Sequence, residues 1–274
     1  MPMALRMHDS KPEKLIICNW KAYLGVEESV KLSAAIADAF RESRKAGELA
    51  IAPALPAIQP VGKAIADAGI SLCAQNLDLE EKGAHTGSIT ISMLEELGCK
   101  YALIGHSELR YREAPEPKES EELISRKADA CLRASIMPVL CVGETVEEKR
   151  MGRAEGEVRR QIEAALDKIS DISKDRIEKL VVAYEPVWAI SSSWNSRAPE
   201  PAEINNAIET IRNSLHSLLP KEKAERIRIL YGGSVSQANA AGYMAAEGIS
   251  GLLIGSASTD QKKLRAILEA VSYI

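Results

Sequence analysis

The chain has 274 residues, 46% hydrophobic and 27% charged, which is enough apolar matter for one large core or two small ones and ordinary for a soluble globule. A net charge of -4, with Lys and Arg spread among acids, argues against a nucleic-acid or membrane surface, so any anion has to be caught locally. No apolar run approaches membrane-spanning length, residues 1–13 lack the apolar centre and cleavage site of a secretion signal, and the five scattered cysteines form no C-x-x-C pair, so the expectation is a cytoplasmic protein with reduced thiols.

Residues 1–13 are polar and mixed and read as a loosely held arm, with the fold beginning at residue 14. The apolar run 15–18 predicts a strand, the polar loop Asn19-Trp20-Lys21 follows it, and helical spacing predicts a helix over 27–40. A second strand over 49–52 is closed by Pro53, and Pro56 starts a helix running to about residue 68. The third strand, 70–74, ends in Gln75-Asn76. A polar stretch holding Lys82-Gly83-Ala84-His85-Thr86-Gly87 then precedes a helix at 91–97 and is too long for a plain connector.

The fourth strand, 101–104, leads into Gly105-His106-Ser107-Glu108-Leu109-Arg110 and a charged helix over 118–134. The fifth, 136–142, is followed by Gly143-Glu144 and a helical region to about residue 169. The sixth, 181–184, ends at Glu185 because Pro186 blocks its extension, and a helix over 204–218 follows. The seventh, 227–231, turns at Gly232-Gly233-Ser234, and the eighth, 252–254, turns at Gly255-Ser256.

Eight strand–helix units whose strands are apolar throughout predict an α/β fold, a single (β/α)8 barrel domain over 14–274. An open doubly wound sheet is the competing architecture. Against it, no G-x-G-x-x-G follows the first strand, and polar residues cluster after six strands rather than at one switch point.

In a closed barrel the residues after the strands converge on one rim, here Asn19, Lys21, His106, Glu185, Ser234, Gly255 and Ser256. Glu185, an isolated carboxylate at the end of a buried run, is the candidate base. With His106 as electrophile and Lys21 as cation it suffices to move a proton next to a carbonyl, and glycine-rich turns with exposed amides can grip a phosphate. No nucleophile–base pair is evident. Taken singly each piece has a plainer reading: a solvated lysine, a packed histidine, a water-facing glutamate, an ordinary Gly-Gly turn. The four histidines (His8, His85, His106, His216) are scattered, which leaves a structural metal without support.

Together the motifs resemble the triosephosphate isomerase family over nearly the whole chain from Lys14. Asn19-Trp20-Lys21, Ala74-Gln75-Asn76, Gly83-Ala84-His85-Thr86-Gly87, Ile104-Gly105-His106-Ser107-Glu108, Cys141-Val142-Gly143-Glu144, Tyr184 to Ile190 and Tyr231-Gly232-Gly233-Ser234-Val235 occur in family order. The resemblance implies a cofactor-independent interconversion of dihydroxyacetone phosphate and D-glyceraldehyde 3-phosphate through an enediolate, without a metal. It implies Glu185 as the proton shuttle and Lys21 as the balancing charge. His106 is implied as the electrophile, neutral because a helix N-terminus lowers its pKa. It further implies that Ser107 holds Glu185 in the open site, that Glu108 pairs with Lys21, that Asn19 orients substrate, and that Ser191, Ser234, Gly255 and Ser256 meet the phosphate. A homodimer is implied as well, with Thr86 entering the neighbouring subunit's site.

The chain departs from the family in three places. After Trp188 the lid reads Ile190-Ser191-Ser192-Ser193-Trp194-Asn195-Ser196-Arg197-Ala198 in place of Ile-Gly-Thr-Gly-Lys-Thr-Ala, about one residue longer, and the expectation is a lid that still closes, with the Ser191 amide on the phosphate and Trp194 packed. Gly255-Ser256 stands where two glycines are usual. Ser88 and Leu109 replace two residues that can pair across the family's interface. The altered lid motivates an alternative, isomerisation of a four-carbon ketose phosphate; a non-catalytic phosphate-binding barrel is a further one.

Overall fold

The computed structural model describes residues 13–41, 47–79, 82–111, 117–190 and 197–272. The arm expected over 1–13 lies, but for its last residue, outside the described residues. Eight parallel strands form: β1 (Leu15–Asn19), β2 (Glu48–Ala52), β3 (Ser71–Ala74), β4 (Cys99–Ile104), β5 (Met137–Val142), β6 (Val181–Tyr184), β7 (Arg228–Tyr231) and β8 (Gly251–Ile254). They pair in chain order, and β1 closes on β8 to complete a (β/α)8 barrel.

Closure explains strands that are apolar at every position. Side chains alternate, so Leu15, Ile17, Leu103, Val139, Val181 and Leu253 fill the barrel, while Ile16, Cys18, Ile51, Ile104, Val182 and Leu252 face the helices. The longer helices bury one stripe, as Pro201–Leu218 does with Ile204, Ile208, Ile211 and Leu215. The helical region expected after β5 divides into Val146–Arg150 and Ala154–Asp167, because Gly152 between them takes the left-handed conformation at φ 68°. The helix expected over 118–134 is Glu121–Arg133, starting where the Ser120 hydroxyl accepts the Leu123 N–H.

The mouth at the strands' N-terminal ends holds charge that the apolar runs gave no sign of. Tyr101 Oη donates to Glu48 Oε2 at 2.6 Å, Arg228 donates to Tyr101 Oη at 2.8 Å and to Glu48 at 3.3 Å, and Lys100 also pairs with Glu48. Each member has a partner, which is the condition for placing charge there. Burial works against the Glu48 carboxylate, but Lys100, Tyr101 and Arg228 outweigh it and hold its pKa below 4.5. A carboxylate depressed by folding stabilises the protein above its unfolded pKa, and that contribution is lost as the pH falls through the folded value. Glu48→Gln is therefore expected to lose about 1–3 kcal/mol at neutral pH. Thermal melts of parent and variant should converge as the pH drops below 4.5; an unchanged gap in acid would show that Glu48 plays no part in acid sensitivity.

Candidate active site

At the C-terminal ends of the strands one cleft of about 60 Å³ is lined by Asn19, Lys21, His106, Glu185, Ser234, Gly255 and Ser256, together with Gly232, Gly233 and neighbouring apolar residues. Residues drawn from five βα turns thus meet around a space the size of a few atoms.

Lys21 follows β1 in the left-handed region, at φ 47°, where a side chain costs roughly 1–2 kcal/mol. Two hydrogen bonds hold it there, and a third anchors one of its partners. Its N–H donates to Asn19 Oδ1 at 3.0 Å, and Gln75 Nε2 donates to the carbonyls of Lys21 at 2.8 Å and Ala52 at 2.9 Å. Asn19 thereby keeps its NH₂ group for the cleft. The ammonium meets Glu108 Oε1 at 2.6 Å, which fixes its place at the cleft edge.

His106 ends the turn after β4 and caps the short helix Ser107–Arg110, its Nδ1 accepting the Glu108 N–H at 3.2 Å. The single proton of the neutral ring then sits on Nε2, which faces Glu185 Oε1 at 3.3 Å. The short helix does not set the direction of the histidine's pKa as expected. Burial opposes the imidazolium, but the Glu185 carboxylate outweighs it and the pKa lies above the ordinary value. The Glu108 amide, which needs a lone pair on Nδ1, works against a second ring proton.

Glu185 leaves β6 with its N–H bound to the Val142 carbonyl at 2.7 Å, and its side chain is buried. Burial would raise its pKa, yet His106 and Lys21 bring it below the ordinary glutamate value, so it is charged at neutral pH. Oε2 is buried, and the Cys141 thiol also favours the charged carboxylate. Gly232 lets the carboxylate reach this position, since a Cβ there would lie 2.7 Å from Glu185 Cγ.

The other end of the cleft is built from backbone. The 3-10 turn Ser256–Thr259 begins at the cleft, its Ser258 N–H donating to the Gly255 carbonyl at 2.8 Å, so the cleft faces the start of a turn. Ser234 differs from the expectation of an open amide. Its N–H and its hydroxyl both donate to the Ala189 carbonyl, at 3.0 and 2.7 Å, because the 3-10 turn Val187–Ala189 points its last carbonyl at the turn after β7.

Three expected site residues do not line the cleft. Glu108 stands behind it, its carboxylate on Lys21 and its N–H on His106. Ser107 lines a narrow void behind Glu185, and among the described residues no hydrogen bond joins the two, since the carboxylate turns toward His106. Thr86 is exposed at the tip of its loop. Ser191 and Trp194 lie outside the described residues. The flanks of that segment are tied down: Trp188 Nε1 donates to Glu144 at 2.7 Å, Lys149 and Arg197 stack on the indole, and Arg197 pairs with Glu203 at 2.7 Å. The supporting roles of Gln75 and Glu144 went unassigned in the sequence, although both stand in motifs read there, because their partners are distant in the chain.

The sequence model of triosephosphate isomerase matches residues 14–271. A relative named triosephosphate isomerase in Aquifex aeolicus (strain VF5) is 38% identical over 255 residues, covering 93% of this chain and 98% of that protein. One of the same name in Chlorobium luteolum is 37% identical over 257 residues, with coverage of 94% and 98%. Another, in Caldanaerobacter subterraneus subsp. tengcongensis, is 38% identical over 244 residues, with coverage of 89% and 94%.

Proposed function

The chain belongs to the triosephosphate isomerase family, and from that membership we propose how its cleft carries out the reaction. The protein is an isomerase that interconverts dihydroxyacetone phosphate and D-glyceraldehyde 3-phosphate. The Glu185 carboxylate removes a proton from C1 of the ketose while His106 Nε2–H hydrogen-bonds the C2 carbonyl oxygen. The resulting enediolate has its negative charge balanced by Lys21. His106 moves the proton between the two oxygens, and the proton on Glu185 returns to C2. No atom is gained or lost, so substrate and side chains supply every group the reaction needs. Asn19 orients the substrate oxygens, and the phosphate sits at the turns of Gly232 to Ser234 and Gly255-Ser256, competing with the Ala189 carbonyl for the Ser234 N–H.

The observation that carries this reading is the ionised Glu185, its Oε1 3.3 Å from His106 Nε2, in a cleft shared with Lys21. Incubation with dihydroxyacetone phosphate in deuterated water tests it. Deuterium should enter the carbon next to the carbonyl of recovered substrate and product; folded protein that leaves the carbon-bound hydrogens unexchanged overturns the assignment. The comparisons do not favour the four-carbon substrate.

A homodimer is part of the same proposal. The loop after β3 is pinned at its base, where Asp78 N–H donates to the Ile89 carbonyl at 2.9 Å, yet residues 82–87 are exposed, and Tyr23 and Leu55 expose apolar surface. A second copy that covers this loop places Thr86 beside the partner's site. Activity per chain is then expected to fall on dilution together with the light-scattering mass; full activity at a mass near 29.8 kDa refutes it. A cytoplasmic location is supported by the five free, buried cysteines, and among the described residues no helix is long and apolar enough to cross a membrane.

A further inference from the structure

Gln161, on the helix Ala154–Asp167, has no exposed surface and grips both polar groups of one residue beyond the end of β5. Its Oε1 accepts the Gly143 N–H at 2.9 Å and its Nε2 donates to the Gly143 carbonyl at 3.1 Å. Tyr111 Oη, from the segment after His106, donates to the same carbonyl at 3.2 Å and accepts from Gln161 Nε2 at 3.1 Å. Glu157 Oε1, 2.7 Å from Nε2, completes the network.

Gly143 is the shelf on which Glu185 stands. The β5–β6 register ends at Val142 and Tyr184; beyond it Glu185 N–H donates to the Val142 carbonyl at 2.7 Å and Val187 N–H to the Glu144 carbonyl at 3.0 Å, while the N–H and carbonyl of Gly143 between them turn to Gln161. A Cβ at Gly143 would lie 2.0 Å from the Glu185 carbonyl oxygen, so the two backbones touch with no room to spare. A shift of the Gly143 peptide therefore moves Glu185. The side chain of Gln161 does for Gly143 what a neighbouring strand would do, and Tyr111 completes the clamp from the loop that carries His106.

We propose that Gln161 and Tyr111 are positioning residues for Glu185, acting through the Gly143 peptide; the proposal rests on the assignment of Glu185 as base. Neither side chain lines the cleft, so neither binds substrate. Their effect is on the distance over which the proton moves, and a displacement of about 1 Å reduces turnover by roughly 10²-fold. A purely structural role would lower the melting temperature without separating kcat from KM.

The test uses the full chain, with melting temperature, kcat, KM for both triose phosphates and the inhibition constant of inorganic phosphate measured for Gln161→Met and Tyr111→Phe. Gln161→Met is expected to lower kcat by about 10²-fold and Tyr111→Phe severalfold, with KM and phosphate inhibition within twofold of the parent. Folded variants with parental kcat, or variants that lose kcat and phosphate affinity together, overturn the proposal. If Gln161→Met does not fold, Tyr111→Phe decides alone, since it removes one hydroxyl. A parent chain without turnover counts against the assignment of Glu185; an active parent with unaffected variants counts against the clamp.

Discussion

Glu185→Gln is expected to lower kcat by about 10³- to 10⁴-fold while inorganic phosphate inhibits as it does the parent. The amide has the shape of the carboxylate but no lone pair basic enough to take a proton from carbon, so the chemical step is lost and the phosphate end is untouched. Glu185→Asp separates position from basicity. It keeps the charge and withdraws it by one methylene, and a fall of about 10²-fold is expected from that displacement alone. Because His106 and Lys21 hold the Glu185 pKa below the ordinary value despite burial, the base of the free enzyme should impose no acid limb on kcat/KM above about pH 4.5. A phosphate group titrates near pH 6 and the His106 pKa lies above its ordinary value, so a limb in that region belongs to the substrate or to His106 and not to Glu185. Glu185→Gln with more than a tenth of parental kcat would end the case for Glu185 as the base.

Lys21→Met is expected to lower kcat/KM by at least about 10²- to 10³-fold, with KM raised as well as kcat reduced. Among the described residues the ammonium is the cation that lines the cleft, and both the phosphorylated substrate and the enediolate require one there. Lys21→Arg should recover little, since a planar fork on a longer stem does not fit a cleft of about 60 Å³. Stability gives an independent readout. At φ 47° methionine keeps the strain of the left-handed backbone and glycine relieves it, so Lys21→Gly should melt above Lys21→Met by the equivalent of about 1 kcal/mol, both lacking activity. Equal melting temperatures would mean that the bonds from Asn19 and Gln75 leave no strain at this residue.

Much of this protein is written locally in its chain. Each apolar run becomes a strand because both of its faces are covered, and each run ends where a proline, a glycine pair or a polar cluster stops the ladder. Glu185 is an instance: Pro186 ends β6 whatever the rest of the molecule does, and barrel closure brings the next carboxylate to the rim. The helix boundaries were less legible. The break at Gly152 depends on one residue adopting a left-handed conformation, which no periodicity reveals.

What the sequence determined by itself is the barrel, the order of its turns and the side chains that stand after each strand, because these follow from alternation, helical spacing and local stops. Tertiary structure alone decided how those side chains meet. Glu48 reads as a charge ahead of a strand, and becomes a member of a half-buried network only when β2, β4 and β7 place it beside Tyr101 and Arg228. Ser234 reads as a phosphate donor, and the turn after β6 gives its N–H and hydroxyl to Ala189. Glu108 reads as the partner of Lys21, yet its backbone amide also decides which nitrogen of His106 carries the proton. The physical reason is range. Local pattern depends on residues within a turn or two, whereas a hydrogen bond depends on tenths of an ångström between groups as far apart in the chain as Glu48 and Arg228.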